Sequence, residues 1–146
     1  MGNQLEMRFL SVAANVGLAR LAVAQMAGQA GFSLNDIEEI KVAISEAVSN
    51  AMIHGYLNRS EGWILVECKL EGHDLQVAVE DWGTGIADVE QARQPAYSSD
   101  PERMGLGFVF MESFMNHVIV RSHVGRGTRV EMMRSVKTPA VSQDAQ

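Results

Sequence analysis

Glu46-Ala-Val-Ser-Asn50, read together with the later Asp81-Trp-Gly83-Thr-Gly85, decides the fold of this chain. A carboxylate and a carboxamide one helical turn apart share a face, so both can act on the same ligand. Asp81 closes the apolar alternation Leu75-Gln-Val77-Ala-Val79 and runs into two glycines, which permit a tight turn and close backbone approach. A carboxylate there can accept a hydrogen bond from an exocyclic amine. The two stretches together describe an adenine nucleotide site.

Two more glycine pairs follow: Gly105-Leu106-Gly107, just before a helical pattern, and Gly125-Arg-Gly127-Thr128, between two strand patterns. A glycine-rich turn entering a helix suits phosphate, because exposed N–H groups and the helix dipole both favour anions. The order helix Glu/Asn, strand-Asp-x-Gly-x-Gly, Gly-x-Gly-helix, Gly-x-Gly-Thr resembles the Bergerat-type (GHKL) ATP-binding fold of gyrase and the histidine kinases. The resemblance implies an α+β, two-layer sandwich, its sheet mixed but mainly antiparallel, with helices on one face. More locally, Glu46 to Tyr56, Ala92-Arg-Gln-Pro95 and Met111-Glu-Ser-Phe114-Met115 are similar to the anti-sigma F factors of sporulating bacteria, a family of serine protein kinases. That similarity runs from about Leu5 to Met133.

The family resemblance implies roles for individual residues. Asn50 would ligate Mg2+, and Glu46 would orient or deprotonate the attacking hydroxyl. Asn50, His54, Asp81, Gly83, Gly85, Ile86, Gly105, Leu106, Gly107 and Thr128 would surround ATP or ADP. Arg20, the one charge in an apolar first helix, would belong to the partner-binding face. The implied partners are a sigma factor of the sigma F type, an anti-anti-sigma protein as serine substrate, and a second copy of the chain in a homodimer.

Plainer readings compete with these. A lone Glu in a helix is usually a solvated carboxylate. Asn50 weighs against that, because an Asn inside a helix competes for backbone groups and lowers helix propensity. Asp81 before a glycine can simply cap a turn, but its agreement with the other glycine pairs favours adenine. Two glycines within three residues at 105–107 cost chain entropy unless backbone must approach something closely. His54 reads first as a packed helix-end histidine, Trp82 as a loop anchor, and the nine methionines as adaptable core filler.

Composition sets the bounds. With 146 residues, 47% of them hydrophobic, the chain can build one sizeable core, expected over residues 1–136, followed by a polar tail at 137–146. A net charge of −6 opposes a sequence-nonspecific grip on nucleic acid, so any transcriptional role is expected to run through protein. The single Cys68 excludes an internal disulfide and a cysteine-based zinc site. No apolar run approaches the roughly 18 residues of a membrane span, and no signal-peptide pattern opens the chain, so the cytoplasm is the expected compartment.

Periodicity predicts the elements. Leu5-Glu-Met7-Arg-Phe9 alternates as an opening strand, and Asn15 is expected to cap a helix ending at Ala30–Gly31. Ser33-Leu-Asn-Asp36 has capping-box spacing and begins the helix bearing Glu46, whose stripe Ile37, Ile40, Ile44, Val48, Ala51 should face the sheet. Glu46 and Asn50 then fall at a cleft rim. Trp63–Leu70 and Leu75–Glu80 predict a hairpin turning at Glu71-Gly72-His73-Asp74. The stretch near residues 94–104 reads as a lid, Leu106–Asn116 as a helix, and Val118–Ser122 and Thr128–Met133 as strands.

Histidine kinases carry a further glycine where this chain has Arg103-Met104, and they bring a helical domain with a phosphorylatable His that is absent here. A detached sensor-kinase ATP domain is therefore disfavoured. The sequence leaves a serine kinase that holds a sigma factor, with a nucleotide-gated sigma-binding module of vestigial kinase activity as the alternative.

Overall fold

The computed structural model describes residues 2–94 and 104–137. The elements are β1 (Gly2–Leu10), α1 (Asn15–Ala30), α2 (Leu34–Asn50), a π-helical turn (Ala51–Gly55), β2 (Trp63–Glu71), β3 (Asp74–Asp81), α3 (Val89–Ala92), α4 (Met104–Phe114), β4 (His117–His123) and β5 (Gly127–Ser135). The strand order is β1-β2-β3-β5-β4, and all four pairings are antiparallel. The sheet is thus antiparallel throughout rather than mixed, because each neighbour in space runs back against the last.

Alternation explains the two layers. In β2, Ile64, Val66, Cys68 and Leu70 point into the core, while Glu67 and Lys69 point out. In β3, Leu75, Val77, Val79 and Asp81 take the inner face. Onto it pack Val23 of α1, Ile40, Ile44 and Val48 of α2, and Phe108 and Met111 of α4. Each fully buried Val, Leu, Ile or Met contributes roughly 1.5–3 kcal/mol. Burial pushes the Cys68 thiol up to about 12, so it stays a packed, unreactive side chain. On the outer face Arg129 bonds three carboxylates: Glu67 at 2.6 Å, Glu131 at 2.8 Å and Glu80 at 2.9 Å.

The helix boundaries largely follow the pattern, with instructive exceptions. Ser33 caps α2 by accepting from the N–H of Asp36 at 3.0 Å, but the Asp36 carboxylate accepts from Arg134 at 2.6 Å. Asn15 does not cap α1. The cap position is Ala14, already helical at φ −60° and ψ −24°, and Asn15 donates its side-chain N–H to the Leu10 carbonyl at 2.9 Å. The hairpin is tighter than expected, with Gly72-His73 as its turn and Gly72 at φ +63°, the first-position glycine that such turns favour. Residues 95–103 of the expected lid and 138–146 of the expected tail lie outside the described residues. Helix α4 starts at Met104, earlier than the expected Leu106, so Gly105 joins Gly107 inside its first turns. It stops before Asn116, whose N–H and side chain bond Met133 and Ser135 of β5.

After the π-helical turn, Leu57 and Asn58 both adopt the left-handed conformation, at φ +54° and +64°. Asn tolerates it, whereas a leucine there costs about 1–2 kcal/mol. Leu57 is 57% exposed and returns little by burial. Leu57→Gly is expected to stabilise the protein by about 0.5–1 kcal/mol, read as a higher denaturant midpoint at unchanged slope.

Candidate nucleotide site

Asp81, the last residue of β3, is 5% exposed and faces the helical layer. Burial pushes its carboxyl up to about 6, against the N–H groups of Gly83, 2.9 Å away, and Thr128, which favour the ionised form. The neighbouring Glu80 adds a smaller upward push. A carboxylate kept nearly dry, its charged form disfavoured despite two N–H donors, is costly, which marks it as held for a purpose other than stability.

Its surroundings are built by backbone. A Cβ at position 55 would sit 2.8 Å from the Asp81 carboxyl, so only glycine lets the π-helical turn lie against it. The Gly55 carbonyl accepts from Thr84 N–H at 2.9 Å, and the Thr84 hydroxyl donates to the His54 carbonyl at 3.0 Å. On the other side Gly125 N–H donates to the Thr84 carbonyl at 2.7 Å. The 81–85 loop is thereby sewn between the π-helical turn and the β4–β5 hairpin. Ile86 N–H donates to Ser122 Oγ at 2.7 Å, and Ser122 Oγ lies 2.8 Å from Thr128 Oγ1.

Glu46 and Asn50 are half-buried on α2, facing α4. A Cβ on Gly107 would lie 3.1 Å from Glu46 Oε1 and 3.2 Å from Asn50 Nδ2, so the glycine allows the first turns of α4 to rest directly on the pair. Asn50 Nδ2 is buried without a hydrogen-bond partner among the described residues. An orphaned buried amide costs about 1–3 kcal/mol and is a donor in want of a ligand.

Asn50, His54, Asp81, Gly85, Ile86 and Thr128 line one cavity of about 20 Å³, together with Phe108 of α4. That volume holds little more than one water, so a purine enters only as the walls part. The structure thus groups Glu46 and Gly107 with Asn50, and Gly83 with Asp81, while Asn50, His54, Asp81, Gly85, Ile86 and Thr128 share the cavity. Gly105 packs against the Gln94 carbonyl. Leu106 is half-buried and does not line the cavity, nor does Arg20, which donates to Ser45 Oγ at 3.1 Å, next to Glu46. Sequence reasoning missed three residues here: Gly55, Tyr56 and Ser122. Gly55 and Tyr56 follow His54 directly and enter only as the end of the Glu46–Tyr56 stretch that carries the family similarity, with no role assigned, while Ser122 gave no signal inside its strand.

The donor set suits a nucleotide with its metal. Among the described residues no three His, Cys, Asp or Glu side chains converge. Magnesium is commonly held by one or two protein oxygens plus the phosphates it accompanies, and the Asn50 amide oxygen is such a donor.

Residues 9–134 match the model of the histidine kinase-like ATPase domain. The chain is 42% identical over 139 residues to the anti-sigma F factor of Clostridium novyi, covering 94% of this chain and 97% of the relative. It is 48% identical to that of Pasteuria penetrans, covering 92% of each. It also superposes, at a TM-score of 0.68 and 23% identity, on the crystal structure of the RsbU and RsbW domains of a Mycobacterium tuberculosis protein. That match covers 94% of this chain but only 34% of the larger one, and it bears on the fold. An ATPase domain of this type is a nucleotide-binding domain, and among the described residues no helix is long and apolar enough to cross a membrane. By its sequence relatives and its antiparallel two-layer fold, the chain belongs to the anti-sigma F factor family of histidine kinase-like ATPase domains.

Proposed function

We propose that this protein binds and inhibits a sporulation sigma factor of the sigma F type and, as an ATP-dependent serine kinase, phosphorylates and inactivates its anti-anti-sigma partner. The observation that carries the reading is the packing of Glu46 and the orphaned Asn50 amide against Gly107, with Asn50 sharing a cavity with Asp81. The relatives' name supports the sigma-factor partner. Residues 1–136 act as a single domain in the cytoplasm, as a homodimer, and with a net charge of −6 the protein reaches transcription through protein and not DNA.

In this mechanism the Asp81 carboxylate accepts from the adenine amine, with Gly83, Gly85, Ile86, His54 and Thr128 forming the walls of the base site. The backbone N–H groups of the first turn of α4, at Gly105, Leu106 and Gly107, face the phosphates. Asn50 would hold Mg2+ through its amide oxygen, and the ion would supply neutralisation of phosphate charge. Glu46 orients the partner's serine hydroxyl and takes its proton as the oxygen attacks the γ-phosphorus, whose bond to the bridging oxygen breaks to release ADP.

Incubation with labelled ATP, the anti-anti-sigma protein and the sigma factor tests the whole reading. Label on a partner serine together with sigma retention is expected. Sigma retention without label would leave a nucleotide-gated binding module, and label on histidine would reject both. Asn50→Ala is expected to weaken ATP about tenfold or more with magnesium present and far less in EDTA, measured by equilibrium binding. Arg20→Glu is expected to weaken sigma binding at unchanged ATP affinity, because its guanidinium lies outside the cavity. Undiminished sigma binding in a titration of that variant would remove Arg20 from the partner face.

A further inference from the structure

We propose that Tyr56 is a positioning residue that sets the base selectivity of the site, holding the Asp81 loop through its hydroxyl. This rests on the reading of Asp81 as acceptor of the adenine amine. Tyr56 follows the π-helical turn directly and is only 9% exposed. Its hydroxyl donates to the Trp63 carbonyl at 2.6 Å and accepts from the Trp82 N–H at 2.8 Å. Trp82 is the residue immediately after Asp81 and before Gly83, whose N–H binds the Asp81 carboxylate. One hydroxyl thus ties the start of β2 to the turn that aims the carboxylate.

No other side chain of that shape does both jobs. A phenol both donates and accepts, and a phenyl ring leaves the Trp63 carbonyl and the Trp82 N–H unpartnered on the inside of the turn. Burial pushes the Tyr56 hydroxyl above its ordinary value, so it stays protonated and able to donate. The ring is also seated: a methyl at Gly62 would press on its face, at Cε1, Cδ1 and Cζ. The strained pair Leu57–Asn58 begins one residue later, at φ +54° and +64°, and such strain persists only where tertiary contacts over-determine the backbone. Tyr56 supplies one of those contacts. Tipping the turn changes the angle at which Asp81 meets the base edge and leaves the phosphate side, Asn50 and Gly107 on the other helices, untouched.

Binding of ATP and of inosine triphosphate separates selectivity from mere stability, since inosine carries an oxo group where adenine carries its amine. Tyr56→Phe is expected to lower ATP affinity about tenfold and to change inosine triphosphate by less than about twofold, so the preference for ATP shrinks. Equal losses for both nucleotides, or an unchanged preference, would overturn the role of Tyr56. Gly62→Ala displaces the ring while keeping the hydroxyl, and the same shrinkage is expected there if Tyr56→Phe does not fold. Asp81→Asn serves as the reference. Should the parent show no preference, or Asp81→Asn keep it, the adenine reading falls and the role of Tyr56 with it. Should Asp81→Asn lose the preference while Tyr56→Phe and Gly62→Ala keep it, the Tyr56 proposal alone falls.

Discussion

Glu46→Gln is expected to bind ATP like the parent and to lose phosphoryl transfer to the partner serine by at least about 100-fold. The amide keeps the shape that packs beneath Gly107, where a Cβ would lie 3.1 Å from Glu46 Oε1, so neither the helix contact nor the cavity changes. What is lost is a proton acceptor, and general base catalysis is worth about 10²–10⁴-fold. Single-turnover transfer, with ATP affinity measured on the same preparation, separates chemistry from binding. Near-parental transfer would reduce Glu46 to a structural carboxylate on α2.

The second large effect belongs to Asp81. Asp81→Asn is expected to weaken ATP about 100-fold, because an acceptor pair facing the exocyclic amine becomes a mixed donor and acceptor. Parental ATP affinity would move adenine recognition elsewhere. Acid is expected to act on the same group. With its carboxyl raised to about 6, Asp81 gains its proton as pH falls through that value, and ATP affinity drops with it. Titration of the nucleotide's own phosphate is common to parent and Asp81→Asn, so the ratio of their affinities isolates the residue. A ratio that does not move between neutral and acidic pH would reject the assignment.

Stability runs in the opposite direction from affinity. A carboxyl whose folded value lies above its ordinary 3.8 stabilises the fold below that value and withdraws the contribution as pH rises through about 6. The difference corresponds to about 3 kcal/mol as an upper figure at neutral pH. The unliganded Asp81→Asn protein is therefore expected to melt no lower than the parent at neutral pH, even as it loses its nucleotide.

The parts of this fold legible in the sequence are those fixed by local periodicity. Ile40, Ile44 and Val48 recur at helical spacing and turn Glu46 and Asn50 away from the sheet, and Ser33 marks the start of that helix. Val66, Cys68, Val77 and Val79 alternate and give the hairpin. The insertion of β5 between β3 and β4 was not legible, because pairing of Val79 with Val130 depends on the whole sheet and not on either strand's pattern. The π-helical turn left no trace either. Its bond from Tyr56 N–H to the Ala51 carbonyl needs no particular side chain, and the reason for it, room for Asp81 beside Gly55, is a tertiary one. Asn15 misled because a capping residue is useful only where the chain arrives extended, and here it arrives already turning through Ala14.

Gly55 and Asp81 touch so closely that neither position is free to vary alone. With the carboxylate present, a methyl at position 55 would come within 2.8 Å of it, whereas a smaller residue at position 81 would leave that methyl room. The two positions are therefore coupled in space: Gly55→Ala alone is expected to push the Asp81 carboxylate out of place, and the same change beside a shortened residue 81 is expected to be far milder.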